Sequence, residues 1–204
     1  MIKNIIFDIG NVLASFRPKA VLEEMGLEEA EVNAILSATV RGPYWRELDR
    51  GVMEEADVIA AMRECVPHPY LADFDHFFAE ETGKIVQSFP YAADWLKDLK
   101  ERGYRVYLLS NYPARLFEIH SQHFTFLRYT DGKIVSGYVK CIKPDERIYR
   151  CLLETYSLNP QECVFLDDLA ENVEGAERLG IHGIWFRGYE DASVKLEKEL
   201  AKTE

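Results

Sequence analysis

From residue 90 onward, short apolar segments alternate with segments of helical periodicity, and this alternation constrains the fold more than any other feature. Strands are predicted at 104–109, 163–166 and 184–186, with short extended pieces around Ile134 and Val139. Between and after them, helices are predicted at 91–101, 113–124, 144–153, 173–179 and 192–201. Strands joined by helical crossovers form a parallel sheet, and right-handed connections bring the strands' carboxyl ends to one edge. The sequence therefore predicts an α/β fold with a doubly wound parallel sheet.

The first predicted strand ends at a carboxylate. Ile5, Ile6 and Phe7 have the β-branched and aromatic character of a strand buried on both faces. Asp8 follows directly, and the pair Gly10-Asn11 then breaks the apolar run. Because open α/β sheets bind ligands at the carboxyl ends of their strands, Asp8 is the leading candidate for a nucleophile.

Between this strand and the alternating region, the chain has helical periodicity throughout. Apolar residues recur at helical spacing from about Pro18 to Lys84. Breaks at Gly42-Pro43, at Gly51 and at Pro67-His68-Pro69 divide the segment into four or five short helices. We therefore predict a core domain made of residues 1–16 and 86–204, with a helical cap domain inserted at 17–85.

Composition excludes several classes of function. The 204 residues allow one sizeable core with a smaller insertion, and 24 basic against 35 acidic side chains give a net charge of −11. Without a concentrated basic patch, this charge argues against nucleic acid as a partner. The four cysteines form no C-x-x-C pair, and the amino terminus carries neither a signal peptide nor a membrane span. We expect a cytoplasmic protein with reduced thiols, a monomer or weak homodimer without a membrane partner.

Four polar positions follow predicted strands or begin a helix in the core. They are Asp8, the pair Ser110-Asn111, Lys143 before Pro144, and the pair Asp167-Asp168. Each motif alone is common in turns and helix caps. At one edge of a parallel sheet, however, they would bring together a carboxylate nucleophile, a hydroxyl, an ammonium group and a pair of acidic groups.

In order and spacing, these residues resemble the haloacid dehalogenase superfamily over nearly the whole chain, with the helical insertion at the position of that superfamily's cap. The resemblance implies a Rossmann-like core, a Mg²⁺ cofactor and a small phosphorylated substrate. It implies that Asp8 is the nucleophile forming an aspartyl-phosphate, and that Lys143 steadies the charge shared by Asp8 and the phosphate. The implied phosphoryl ligands are Ser110 and the amide of Asn111, and the implied metal ligands are Asp8, the Gly10 carbonyl and Asp168, supported by Asp167.

The chain departs from this pattern at Gly10. Most phosphatases of the superfamily have an aspartate there, which acts as general acid and then as general base. General acid catalysis contributes about 10²–10⁴ in rate, so its loss matters most for a poor leaving group. The sequence Asp-x-Gly-Asn-Val resembles a cap-bearing subgroup that includes α-glucose-1-phosphate phosphatases, and also relatives of the phosphatase domain of soluble epoxide hydrolase. A sugar 1-phosphate fits because an anomeric hydroxyl leaves more easily than an ordinary alcohol.

Two other functions stay open. A 2-haloacid dehalogenase also needs no general acid, because halide leaves unprotonated. Without a metal ion, however, its active site would hold Asp167-Asp168 uncompensated beside Asp8. A catalytically weak sugar-phosphate or protein-binding module is the third hypothesis, although mere binding does not require a nucleophile.

Substrate choice is expected to depend on cap residues that face Asp8. The candidates lie between Gly42-Pro43 and Gly51 and include Trp45 and Arg46. Asn11 is a further candidate for contact with the leaving group. His120 and His123 are interpreted as exposed helix residues, and Trp95 and Trp185 as core residues.

Overall fold

A computed structural model describes residues 1–202. In chain order, its strands are β1 (Asn4–Phe7), β2 (Ala14–Phe16), β3 (Val86–Ser88), β4 (Arg105–Ser110), β5 (Gly132–Val135), β6 (Cys163–Asp167) and β7 (His182–Trp185). The α-helices before β4 are α1 (Pro18–Glu24), α2 (Glu29–Ala38), α3 (Trp45–Arg50), α4 (Glu55–Glu64), α5 (Leu71–His76) and α6 (Ala92–Glu101). Those after it are α7 (Ala114–Ser121), α8 (Ser136–Val139), α9 (Glu146–Thr155), α10 (Ala170–Glu177) and α11 (Tyr189–Ala201).

Within residues 1–202, five strands form the central sheet in the order β5-β4-β1-β6-β7, and every neighbouring pair is parallel. This confirms the predicted α/β class and doubly wound sheet. β1 lies in the middle, with Phe7 in register with Leu108 of β4 and Leu166 of β6. Because the chain moves to one side of β1 and later to the other, the carboxyl end of β1 lies at the switch point where ligands bind in such folds.

The central strands are buried because helices cover both faces of the sheet. Ile5, Ile6 and Phe7 are all fully buried, as expected for a strand without polar alternation. One large apolar cluster contains Ile5 and Phe7, and a second cluster on the opposite face contains Ile6. The covered sheet leaves its carboxyl edge as the place for polar side chains.

Residues 17–85 are mainly helical, as predicted. α1 to α5 are followed by one turn of π-helix at Phe77–Glu81 and a short 3-10 helix at Thr82–Lys84. β2 and β3 bracket this segment and pair antiparallel, with Phe16 opposite Val86. Apolar residues of the segment, such as Val32 and Phe74, belong to the same buried cluster as Phe7. The division of the chain into core and cap domains stays a prediction.

Some sequence predictions were wrong in detail. Val139 ends the short helix α8 and is not extended. α7 ends at Ser121, before Phe124. Trp95 is buried as predicted, but Trp185 is half exposed, and its indole N–H donates to the carbonyl of Asp168. Trp185 therefore supports the carboxyl edge of the sheet and is not a core residue.

No helix among residues 1–202 is both long and apolar enough to cross a lipid bilayer.

Candidate active site

The carboxyl edge of the sheet brings Asp8 and Lys143 into direct contact. Asp8 follows β1, where its backbone N–H donates to the carbonyl of Leu166 at 2.9 Å. Lys143 Nζ lies 2.9 Å from Asp8 Oδ1 and 2.5 Å from Asp167 Oδ2, and it donates to the carbonyl of Leu109 at 2.9 Å. The Lys143 side chain is almost fully buried. One ammonium group thus links the ends of three adjacent strands.

Asp167 and Asp168 differ in how many hydrogen bonds their carboxylates accept from other residues. Asp167 accepts hydrogen bonds from Lys143, from the backbone N–H of Leu169 and from the side-chain amide of Asn172. Asp168 is only partly buried, and its Oδ2 accepts a hydrogen bond from the Asn11 side chain at 3.0 Å. Asp168 therefore has the more available carboxylate oxygen, in line with the prediction that Asp167 plays the supporting part.

Three carboxylates at this edge are close enough to share one cation. One oxygen atom from each of Asp8, Asp167 and Asp168 lies within 4.8 Å of the other two. A single ammonium, that of Lys143, faces three acidic groups, so the cluster keeps a net negative charge when all are ionised. Hard oxygen donors of this kind are the ligands that Mg²⁺ prefers. The donor set therefore fits a magnesium ion.

Ser110 and Asn111 take different positions at the end of β4. The Ser110 side chain is buried, and its hydroxyl lies close enough to Asp8 to lower the pKa of that carboxyl. Asn111 uses its side chain internally: its Oδ1 accepts from the backbone N–H of Lys143 at 2.7 Å, and its Nδ2 donates to the Lys143 carbonyl at 3.1 Å. Asn111 thus fixes the loop that carries Lys143, and Ser110 places its hydroxyl beside Asp8.

Gly10 and Asn11 form the turn after the nucleophile candidate. Asn11 has a positive φ of 54°, a conformation that asparagine tolerates better than most residues. Its side chain donates to Asp168 and accepts from the backbone N–H of Phe16. Asn11 therefore connects the acidic cluster with Phe16, the last residue of β2, and positions the turn. Its contact with the leaving group stays a prediction.

Burial sets the electrostatics of the cluster. Burial raises the pKa of Asp8, Lys143 opposes this shift, and the charge of Asp167 adds to it. Burial also raises the pKa of Asp168, against the hydrogen bond from Asn11. For Lys143, burial disfavours the ammonium form, but the charges of Asp167 and Asp8 outweigh it, and the pKa lies above its ordinary value. The cluster thus lacks positive charge, and a divalent cation would supply it.

A cavity of about 270 Å³ opens above these groups. Its polar floor includes Asp8, Lys143 and Asp168. Its walls are largely apolar and are formed by Phe16, Trp45, Ile85, Val86, Leu116 and Leu169. The Trp45 ring packs against Phe16, with their centroids 5.7 Å apart. The cavity therefore combines a charged end with an apolar enclosure.

The prediction for Trp45 and the prediction for Arg46 have different outcomes. Trp45 lines the cavity, as expected of a cap residue that faces Asp8. Arg46 instead lines a separate polar groove on the surface, together with Arg50, Lys140 and Arg147. Neighbouring residues on a helix point about 100° apart, which is consistent with the different surroundings of Trp45 and Arg46. Contact of Arg46 with a substrate stays a prediction.

Asp49 is a cavity residue that sequence reasoning missed. It lies four residues after Trp45, on the same face of α3, and it lines the cavity with Asp8 and Lys143. Within residues 1–202 its backbone carbonyl accepts a hydrogen bond from Ser136, but its side chain makes no hydrogen bond or ion pair. The helical spacing from Trp45 was the available signal, but nothing in the sequence shows which face of α3 turns toward the core.

His120 and Asn172 are two further cavity residues that the sequence did not identify. His120 was expected to be exposed, but it is buried because both ring nitrogens have partners. Its Nε2–H donates to the carbonyl of Thr82 at 2.8 Å, and its Nδ1 accepts from the hydroxyl of Tyr112 at 2.7 Å. Asn172, in the first turn of α10, holds Asp167 in place, and its own Oδ1 is buried without a partner among the described residues.

Comparisons with known proteins agree on one family. A family model described as hydrolase, haloacid dehalogenase-like hydrolase, matches residues 2–180. A sesquiterpene phosphatase of Aspergillus oryzae, astK, is 27% identical over 183 residues, which cover 89% of this chain and 88% of that protein. Bifunctional epoxide hydrolase 2 of Rattus norvegicus is 36% identical over 105 residues, which are 52% of this chain and only 16% of that protein.

Among solved structures, an enzyme of this family from Bacteroides thetaiotaomicron shares the fold. It was crystallised in complex with magnesium and inorganic phosphate. It aligns with a TM-score of 0.64 and 24% identity over 90% of this chain and 93% of that one. A sequence identity of 24% supports similarity of fold only. The ligands of this chain have to be inferred from its own site residues.

Proposed function

The chain belongs to the haloacid dehalogenase-like hydrolases, and we propose that within this family it is a magnesium-dependent phosphomonoesterase acting on a small phosphorylated metabolite. The observation that carries the proposal is the grouping at one edge of the sheet of Asp8, the ammonium of Lys143 and the buried hydroxyl of Ser110, with Asp167 and Asp168 completing a three-carboxylate cluster. This set provides a nucleophile, charge compensation and a donor for a phosphoryl oxygen. The sesquiterpene phosphatase and the phosphate-bound neighbour support the same reaction class.

Asp8 is the proposed nucleophile. A carboxylate oxygen of Asp8 attacks phosphorus, the bond from phosphorus to the ester oxygen breaks, and an aspartyl-phosphate forms. Lys143 stabilises the negative charge that Asp8 and the phosphoryl group share, since its ammonium already contacts Asp8 at 2.9 Å. The Ser110 hydroxyl donates to a phosphoryl oxygen. Water then hydrolyses the aspartyl-phosphate and restores Asp8.

Asp8, Asp168 and the carbonyl of Gly10 are the proposed magnesium ligands, with Asp167 holding Lys143 and Asn172 beside them. When bound, the ion supplies positive charge that masks the negative charge of the phosphoryl group. Without a cation, three carboxylates facing one ammonium repel an incoming phosphate. This charge balance is also the reason to prefer phosphoryl transfer over dehalogenation, since dehalogenase chemistry offers nothing to neutralise Asp168.

Two kinds of organic group fit the proposal, and each has its own support. A sugar 1-phosphate follows from the glycine at position 10, because an anomeric oxygen is a comparatively good leaving group. A phosphate ester of an apolar alcohol is favoured by the cavity walls, which include Phe16, Trp45 and Leu169. A sugar would leave most of its hydroxyl groups without partners against such walls.

The proposal is tested by measuring phosphate release. Wild type and Asp8→Asn are assayed on α-glucose 1-phosphate, glucose 6-phosphate, acetyl phosphate and an isoprenyl monophosphate, with magnesium and with EDTA. We expect magnesium-dependent release that Asp8→Asn reduces at least about 10³-fold. Asp94→Asn, an exposed residue of α6, is the matched control and should keep wild-type activity.

The substrate series separates the alternatives. Preference for α-glucose 1-phosphate supports the sugar hypothesis, and preference for the isoprenyl ester supports the apolar one. Halide release from 2-chloropropionate in place of any phosphate release would establish the dehalogenase alternative. Binding of phosphate esters without turnover would leave the binding-module hypothesis and contradict the proposal.

A further inference from the structure

The loop that follows Asp8 contains no group able to donate a proton. Residues 9–13 read Ile-Gly-Asn-Val-Leu, and none of these side chains is an acid. When Asp8 attacks the phosphorus of an alkyl phosphate, the ester oxygen leaves with an electron pair and needs a proton. The source of that proton has to be another group that lines the cavity.

Most ionisable side chains of the cavity are already engaged. Lys143 binds Asp8, Asp167 and the carbonyl of Leu109. The hydroxyl of Tyr112 donates to His120. His120 in turn donates its single proton to a backbone carbonyl, and burial lowers its pKa, so it is neutral and its N–H is occupied. Asp168 accepts from Asn11 and belongs to the acidic cluster.

Asp49 is the exception. Its side chain lines the same cavity as Asp8 and makes no hydrogen bond or ion pair within the described residues 1–202. A hydrogen bond from the core fixes the backbone at Asp49. The hydroxyl of Ser136 donates to the Asp49 carbonyl at 2.5 Å and accepts from the backbone N–H of Tyr112 at 2.8 Å. The ammonium of Lys140 also donates to the carbonyl of Gly51 at 2.5 Å. The end of α3 is thus tied to the loops that carry the active-site residues.

We propose that Asp49 is the general acid of this active site and protonates the leaving oxygen when Asp8 attacks phosphorus. This inference rests on the proposed phosphomonoesterase function. In the first step, a carboxylate oxygen of Asp8 bonds to phosphorus, the ester P–O bond breaks, and the leaving oxygen takes its proton from Asp49. The products are the free alcohol, the aspartyl-phosphate and the Asp49 carboxylate.

The same residue completes the second step. The Asp49 carboxylate accepts a proton from water while the water oxygen attacks phosphorus. The bond from phosphorus to Asp8 breaks and its electron pair returns to the Asp8 carboxylate. Inorganic phosphate leaves, and Asp49 regains the proton that it donated, so neither step requires another reactant.

The charges around Asp49 favour the protonated form that an acid needs. Burial and the negative charge of Asp8 raise the pKa of Asp49 to about 8, against the positive charges of Lys143 and Arg46. Three nearby groups have other partners: Tyr112 donates to His120, Lys140 of α8 donates to the carbonyl of Gly51, and Glu55 of α4 accepts from Arg115. Asp57 and Glu64 of α4 are exposed. The raised pKa of Asp49 favours the protonated form that a general acid needs.

The test compares substrates that differ in their need for an acid. Asp49→Asn keeps the size of the side chain and removes its proton. We expect kcat/KM to fall about 10²–10⁴-fold on glucose 6-phosphate, or on whichever alkyl phosphate wild type hydrolyses fastest. On p-nitrophenyl phosphate, whose leaving phenolate is stable, the loss should be below about fivefold. The exposed Asp57→Asn of α4 is the control and should match wild type on both.

Losses of equal size on both substrates would mean that Asp49 has a structural role and would overturn the proposal. So would an unchanged rate on the alkyl phosphate. Asp8→Asn in the same assay keeps the two proposals separate. If it abolishes hydrolysis of p-nitrophenyl phosphate by the active wild type, the phosphomonoesterase function stands whatever Asp49→Asn does. If wild type hydrolyses neither ester, both proposals fail.

A second variant provides rescue. A Cβ atom added at Gly10 meets, among the described residues, only Asp8 Oδ2 at 4.0 Å, which is ordinary van der Waals contact. Gly10→Asp in the Asp49→Asn background therefore places a new carboxyl beside the nucleophile. We expect a gain of at least about tenfold on the alkyl phosphate and little on p-nitrophenyl phosphate. If the double variant gains no activity on the alkyl ester, loss of a general acid does not explain the low activity of Asp49→Asn.

Discussion

At the level of single residues, the arrangement around Lys143 shows how the site manages buried charge. Its ammonium is within 2.5–2.9 Å of two carboxylates and a carbonyl, and the whole group is almost completely buried. Buried ion pairs of this kind contribute little net stability, because desolvation offsets their attraction. They instead fix the positions of the charged groups. Lys143 holds Asp8 at a fixed place at the end of β1, and Asn111 fixes the loop behind Lys143.

His120 makes the stability of the protein depend on pH. Burial lowers its pKa from the ordinary 6.5, so the unfolded state binds the proton more readily than the folded state. Stability is therefore complete above that ordinary value and is lost as the pH falls below it. We expect the free energy of unfolding of wild type to decrease between about pH 7 and pH 5 more steeply than that of His120→Gln.

Urea unfolding at a series of pH values measures this difference. Subtracting the His120→Gln curve from the wild-type curve removes the contributions of Asp8, Asp49 and Asp168, which both proteins share. His123→Gln changes an exposed histidine on the same stretch of chain and should follow the wild-type slope. Identical slopes for wild type and His120→Gln would show that burial of His120 carries no proton linkage.

At the level of elements, the end of α3 packs closely against the core at Gly51. Gly51 has a φ of 64°, and a Cβ atom there would lie 2.7 Å from the carbonyl oxygen of Gly137. Both the conformation and the close approach require glycine. Because α3 carries Trp45 and Asp49, any displacement at Gly51 also moves two walls of the cavity.

Gly51→Ala should therefore affect stability and activity together. We expect a loss of about 2–4 kcal/mol in the free energy of unfolding, from left-handed strain and the backbone clash, and a fall in kcat/KM. Gly26→Ala is the matched control, since Gly26 has a φ of 82° with nothing described within 4 Å of the added atom. It should cost only about 1 kcal/mol and leave kcat/KM unchanged. Equal effects of the two variants would show that contact with Gly137 is unimportant.

The elements themselves were largely predictable from sequence. β1 and β6 are mainly apolar because both faces of the sheet are covered, and the polar residues Asp8 and Asp168 directly follow them at the carboxyl edge. α8 was missed because a four-residue helix has too little periodicity to distinguish Val139 from a strand residue. Trp185 was misplaced because composition favours burial of tryptophan, whereas here an N–H bond to Asp168 holds it at the surface.

At the level of the whole molecule, the acidic cluster links metal binding to folding. Asp8, Asp167 and Asp168 approach one another only in the folded chain, so a cation that binds them stabilises the folded state. At a concentration 100 times its Kd, magnesium should add about 2.7 kcal/mol to the free energy of unfolding. Calorimetric or urea unfolding with magnesium and with EDTA measures this gain.

Asp168→Asn tests whether the gain comes from this cluster. The variant should lose most of the magnesium effect, and in EDTA it should be at least as stable as wild type because one of three repelling charges is gone. Asp94→Asn removes an exposed charge and should keep the full magnesium response. A magnesium response that survives in Asp168→Asn would place the metal elsewhere.

The candidate site residues at strand ends were the ones that the sheet made predictable. Asp8 and Asp168 follow strands and Ser110 ends one, and a parallel sheet brings strand ends together whatever the loops do. Asp49 was not found, because its approach to Asp8 depends on how α3 lies over the sheet. That orientation is set by contacts of Ser136 and Lys140 far along the chain, and local sequence carries no record of them.

The β2–β3 ribbon has a consequence for how such proteins diversify. Phe16 and Val86 are paired across the ribbon, so the two ends of the helical segment enter and leave the core side by side. A graft at that junction, in a gene rearrangement or a designed chimera, needs to join only these adjacent ends and leaves the order of the central strands untouched. Phe7 of the core and Val32 of the helical segment belong to one buried apolar cluster. A transplanted segment must therefore have an apolar surface that packs against the same core residues. A chimera of this kind keeps the polar residues at the carboxyl edge of the sheet and exchanges Trp45 and Asp49, which line the cavity from α3.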